Sequence, residues 1–246
     1  MAVAAFAAGI TISNAQVYSA NVVGYASVPS LTPNQYYMME CPFAVGVSNG
    51  VNEVFGTSLP DGSAVYTWNS GSQTFSTVVY DSTGGNNGLS GVVWFQADDT
   101  TPATSLPTIP PGRGFFFVPN GPMTNVFSGA VSVNVGTSNS IPLPTPNQYY
   151  MLGSLVPYSG FVTNGTASGG GANMNNLPDG SAVYQWNPVS QTFTTTVFDS
   201  TGGNNGLSGV VWFQADDTTP APCPQIGVGD GVFLAPNGSY TWTTGL

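Results

Sequence analysis

The chain has 246 residues and a net charge of −10, with Arg113 as its one cation and neither Lys nor His. Phosphate backbones and anionic lipid surfaces need cationic partners, so nucleic-acid binding and direct attraction to an anionic membrane are excluded. With no His or Lys to act as base, Ser–His and Cys–His mechanisms are excluded too, while 41% hydrophobic against 5% charged residues is the reverse of a disordered composition.

In chain order, the apolar run 2–12 has the length of a signal-peptide core and is too short to span a bilayer. Ser13-Asn14-Ala15 then supplies a small-residue cleavage site, so residues 1–15 are expected to be removed before Gln16; retention as an apolar strand is the alternative. Short β-branched and aromatic runs follow, separated by Gly, Pro, Asn and Ser, the pattern of an all-β sandwich or barrel. The predicted strands of the first module are Val17–Ser27, Tyr36–Cys41, Ala64–Asn69, Thr74–Tyr80, Gly91–Ala97, Gly114–Val118 and Val126–Val135. Pro60-Asp61-Gly62 is a turn, Pro presetting φ and Gly allowing positive φ, and Asn69-Ser70-Gly71 reads as a hairpin loop.

The set then repeats. Leu59–Ala103 and Leu177–Ala221 are identical at 39 of 45 positions, and Asp81–Ala103 returns unchanged as Asp199–Ala221. The offset is 113 at PNQYYM (33 to 146) but 118 at LPDGSAVY (59 to 177), which places a five-residue insertion near Ser168–Ala172. A first β module over 16–135 and a second over 136–246 are therefore expected, packed head to tail with Gly129–Ser140 as the junction. In that reading Val126–Val135 is the second module's counterpart of the leading strand.

Several residues invite a chemical role. Asp81 and Asn86, with their twins Asp199 and Asn204, place oxygen ligands in a glycine-rich loop and are calcium candidates, although the loop lacks the alternating acids and closing Glu of an EF-hand; an ordinary β-loop is the rival, and no other cofactor is expected. Asp98-Asp99 and Asp216-Asp217 follow strands, so each pair is expected to diverge onto opposite faces. Their presence in both copies fits turn formation better than the acid–base pair of a glycosidase. Trp68, Trp94, Trp186, Trp212, Tyr36, Tyr37, Tyr149 and Tyr150 are divided between core, subunit packing and sugar stacking. Cys41 and Cys223 occupy non-equivalent positions and are candidates for one disulfide in an exported protein. Arg113 and Asp230 occupy equivalent positions, and the alternatives are pairing across a subunit junction or a local pair of Arg113 with Asp98 or Asp99.

QVYSANVVGY at 16–25, the YxW strand at Tyr66–Trp68 and PGRGFFFV at Pro111–Val118 together resemble a β module of secreted bacterial surface proteins; the second copy departs from it at GDGVFL. The resemblance implies export and a β fold, with no catalytic activity. Edge strands are usually guarded by Lys or inward charges, which this chain lacks. The expected function is thus a non-enzymatic subunit of an extracellular filament or surface layer whose partner is itself, with Val17, Tyr18, Val22, Val23 and Tyr25 of the leading strand adding to a neighbour's sheet. A secreted glycan-binding adhesin is the runner-up, and a glycoside hydrolase a distant third.

Overall fold

The computed structural model describes residues 23–132, 138–166, 170–209 and 211–245. The expected signal peptide and three of the leading-strand residues, Val17, Tyr18 and Val22, lie outside the described residues.

The first half contains β1 (Val23–Leu31), β2 (Tyr37–Glu40), α1 (Val51–Phe55), β3 (Ser63–Asn69), β4 (Thr74–Tyr80), β5 (Trp94–Gln96), β6 (Gly114–Val118) and β7 (Met123–Ala130). The second contains β8 (Ser138–Leu143), β9 (Tyr150–Gly153), β10 (Gly160–Phe161), β11 (Ser181–Asn187), β12 (Thr192–Phe198), β13 (Trp212–Gln214), β14 (Gln225–Ile226), β15 (Gly231–Ala235) and β16 (Tyr240–Gly245). The fold is all-β and sandwich-like. Each half pairs an antiparallel five-stranded sheet, ordered β2-β6-β3-β4-β5 or β9-β15-β11-β12-β13, with a two-stranded ribbon of its first and last strands, β1:β7 or β8:β16.

Period-two alternation sorts the side chains. In the first half Met39, Val65, Val78, Tyr80, Trp94, Phe115 and Phe117 point to one face, where Ala26, Leu31 and Phe127 of the ribbon and Val51, Val54 and Phe55 of α1 close over them. Phe55 stacks on Phe117 at 4.9 Å and meets Phe115 edge-on at 5.7 Å, geometry that adds to simple burial. The second half repeats this core with Leu143 and Trp242 from its ribbon. The small β10:β14 pair of the second half matches the Gly50–Thr108 bridge that precedes α1 in the first, while α1 has no helical counterpart among the described residues.

This pairing corrects the expected strand equivalence. β7, the strand at Val126–Val135 in the sequence reading, pairs back onto β1 and closes the first half; the counterpart of β1 is β8. Pro29 and Pro142, offset by 113, occupy matching places in those two leading strands. The leading strand therefore already has a partner within its own chain.

The sheet edges are guarded by devices other than Lys. Beyond β5 the chain folds back, Gln96 N–H donating to Thr101 O (2.8 Å) and Ala103 N–H to Trp94 O (3.0 Å), so the edge ends at Pro102. Asp98 makes that turn by accepting from Thr100 N (3.0 Å), Thr101 N (2.9 Å) and Thr101 Oγ1 (2.7 Å), and Asp99 takes a left-handed φ of 51°. Asp216 and Asp217 do the same in the second half. The two acids of each pair thus sit in one tight turn instead of diverging along a strand.

Candidate functional site: the seam between the modules

The other face of each five-stranded sheet is aromatic, and the two faces meet. Met38, Phe116, Met151 and Phe233 are buried there together, with Tyr66, Trp68, Tyr184 and Trp186 half-buried around them. Alternation dictates this: Val65 and Val183 face the cores, so Tyr66, Trp68, Tyr184 and Trp186 must face outward.

The aromatic contacts and the tryptophan and glutamine hydrogen bonds across the seam occur in matched pairs. Trp68 meets Phe233 at 5.3 Å and Trp186 meets Phe116 at 5.2 Å, both edge-on. Trp68 Nε1 donates to Tyr149 O and Trp186 Nε1 to Tyr36 O, each at 2.7 Å. Gln73 accepts from Tyr149 N (3.0 Å) and donates to Tyr149 O (3.2 Å), so one side-chain amide pairs with both peptide groups of a residue; Gln191 clamps Tyr36 with the same distances. Both glutamines stand at φ 55° in their hairpin loops.

Backbone bridges join Met39 to Asp230 and Leu152 to Arg113, again a matched pair. The modules are thus related by a local two-fold axis, each using the same patch, which overturns the head-to-tail packing read from the repeat. Head-to-tail order along a sequence does not constrain the symmetry of the contact, and a self-complementary face closes on itself.

The copies differ where β2 and β9 meet. Glu40 is equivalent to Gly153, and a Cβ built on Gly153 would fall 2.2 Å from Glu40 Cβ and 2.3 Å from its Oε2. The glutamate fills the space that glycine leaves. It is fully buried and neither carboxyl oxygen has a partner. Burial first, and the nearby Asp230 with it, pushes its pKa well above the ordinary value, the Ser154 backbone acting in the opposite direction without making a hydrogen bond to it.

Arg113 and Asp230 flank this seam inside the chain; Arg113 Nη2 donates to Trp68 O (3.3 Å) and Asp230 Oδ2 accepts from Gly227 N (2.7 Å), so the expected local pair with Asp98 or Asp99 is not made. Val23 and Tyr25 lie on β1, facing Ala130 and Ser128 of β7. Asp81 Oδ1 is engaged by Thr83 N (2.7 Å) and Thr83 Oγ1 (2.6 Å), and Asn86 N–H donates to Asp99 O (2.8 Å); Asp199 and Asn204 repeat these contacts with Thr201 and Asp217. Among the described residues no group of three or more His, Cys, Asp or Glu gathers to hold a metal ion. Cys41 and Cys223 are free thiols: Cys41 is buried and its pKa raised to about 12, chiefly by that burial, while Cys223 lies beside Thr163 Oγ1 (3.4 Å). The expected disulfide, which would join the two modules, is not formed: Cys41 is held in the first module's core and Cys223 packs against the second's. Trp94 and Trp212 are core residues.

No family model, curated protein or solved structure matches the chain. The chain's own surfaces carry the functional information. Two stand out: the aromatic seam, whose rim is open, and the outer side of the first ribbon. On that ribbon Tyr25 is 75% exposed, Val23 58% and Val126 53%, all on one face. Sequence reading put Val23 and Tyr25 on a strand but could not pair it. The seam glutamines were missed altogether, because nothing in an isolated S-Q-T-F string says that its amide reaches the sister module.

Proposed function

We propose that the chain is a structural subunit of an extracellular assembly, with no catalytic role, joined to copies of itself through the ribbons. The observation that carries this reading is the first ribbon: among the described residues β1 pairs with β7 alone, and its uncharged outer face exposes Val23, Tyr25 and Val126. An unpaired strand edge is a template for another strand, and large exposed apolar side chains beside it favour association.

The local two-fold axis gives the second module an equivalent ribbon. β8 is likewise paired on one side only, with β16. A body carrying two such edges joins two neighbours, and contacts between unlike edges propagate unless the rotation happens to close a ring. Pro29 and Pro142 remove one donor from each leading strand, which confines pairing on β1 to the stretch before Pro29. Export, by the leader reading of residues 1–15, would place the assembly outside the cell.

The test is Tyr25→Lys. The residue is exposed, so the fold should survive, while a charge on the edge opposes strand addition. Wild-type protein should form extended particles in electron micrographs and scatter more light as its concentration rises; the variant should stay monomeric. Wild type that remains monomeric throughout, or a variant that assembles equally well, would overturn the reading.

A further inference from the structure

We propose that the open rim of the seam is a binding groove for a neutral carbohydrate. Phe75, Phe193, Tyr36 and Tyr149 are each between 40% and 42% exposed although they touch the seam core. Such values are high for aromatic rings held in place by neighbours. Trp68, Phe75, Tyr149, Tyr184, Phe193 and Phe233 line a cleft of about 270 Å³, just below the usual size of an enclosed ligand pocket and suited to a ligand that lies along the rings.

The rings are fixed before any ligand arrives. Trp68 holds Phe75 at 4.7 Å and Phe233 at 5.3 Å, while its indole N–H is spent on Tyr149 O. Their exposed faces are therefore apolar and rigid, which lowers the ordering cost of binding. Beside them Tyr149 and Tyr184 bring their hydroxyls to 3.4 Å, and Thr195 stands opposite Tyr184 across β11 and β12. At the other end Tyr36 lies 5.5 Å from Tyr66, which faces Thr77, so the two-fold axis duplicates the hydroxyl-bearing end.

A ligand matching this surface needs C–H faces to lie on the rings and hydroxyl groups at their margins. Sugar rings have both, and a purely hydrocarbon ligand would leave the tyrosine hydroxyls unmatched. Charge decides the class of sugar. Neither a carboxylate nor a guanidinium is among the six lining side chains, and a net charge of −10 repels uronate and sulfate polymers. The groove is continuous with the established inter-module contact, so the site exists only when both modules are in place. It lies on the sheet faces, away from the β1 edge through which assembly is proposed, and does not depend on that assembly.

The probes are soluble neutral oligosaccharides (β-glucan, α-glucan, mannan and chitin hexamers) against an alginate hexamer, read by calorimetry and by intrinsic tryptophan fluorescence, to which Trp68 and Trp186 at the seam contribute. At least one neutral hexamer should bind, and the alginate should not. Tyr149→Phe with Tyr184→Phe keeps every ring and should weaken binding about tenfold; Phe75→Ala with Phe193→Ala should abolish it, with folding checked by the near-UV signal. The proposal falls if none of the neutral hexamers binds. It falls equally if alginate binds as well as they do, if affinity is unchanged in the doubly hydroxyl-deleted variant, or if only an alkyl probe such as decanol enters the groove.

Discussion

Glu40 is the residue on which the inter-module contact is most exposed to pH. Its carboxyl is buried against Gly153 with both oxygens unpartnered, and its folded pKa is raised by burial first and Asp230 second. A folded pKa above the unfolded one means that folding favours the protonated acid. That contribution is full below the unfolded value of about 4.5 and is lost as pH rises toward the folded one. Glu40→Gln, which cannot ionise, should therefore gain about 1 kcal/mol or more over wild type at pH 8 and be nearly neutral at pH 4, measured by urea unfolding at the two pH values. Equal effects at both would show that Glu40 is not held neutral. Glu53 is the opposite case: partly exposed, it accepts from the backbone N–H groups of Val47, Gly50 and Ser48, and these lower its pKa to about 2. Its stabilising effect is present above its usual value and fades only as pH falls toward 2.

At the scale of elements, the hairpin loops between β3 and β4 and between β11 and β12 are the fasteners of the seam. Gln73 and Gln191 each pair one amide with the N–H and carbonyl of a tyrosine in the other module. Gln73→Ala should cost about 0.5–1.5 kcal/mol, and Gln191→Ala a similar amount, because each leaves the peptide N–H of Tyr149 or Tyr36 without its protein partner, while the carbonyl keeps the indole N–H of Trp68 or Trp186. Thermal scans that show no loss in either variant would mean that water replaces the clamp at no cost. Sequence legibility follows the range of the interactions. The turn at Pro60-Asp61-Gly62 and strands β4 and β6 were readable because local chemistry and alternation define them. α1 was not, since five residues give too little periodicity to separate a helical turn from loop. The pairing of β1 with β7 joins residues about a hundred positions apart, and nothing in either string encodes the partner. The same limit hid which face of Tyr66 and Trp68 would be covered: period two put them opposite Val65, but only the assembled sheets show that the sister module lies there.

Taken whole, the molecule is a covalently joined pair of homologous modules about an approximate two-fold axis, and one of the places where the axis is broken is the contact of Glu40 with Gly153. Were two first modules to pair through this face, two copies of Glu40 would compete for the space Gly153 leaves empty, and each would carry a buried, unpartnered carboxyl. Two second modules would face each other across a void at paired glycines. Only the unlike pair fits. Cleavage between Ala130 and Ser138, followed by unfolding and refolding of the mixed fragments, should return one-to-one complexes in sedimentation and no like pairs; a random mixture would show that shape at this point does not choose partners. The same fit has a consequence in time. While Glu40 stands, no larger residue can replace Gly153 without a collision, and while Gly153 stands, shortening Glu40 opens a hole at the centre of the contact. Each holds the other in place, so two copies that began as interchangeable have become a lock and its key, and neither can return alone to pairing with its own kind.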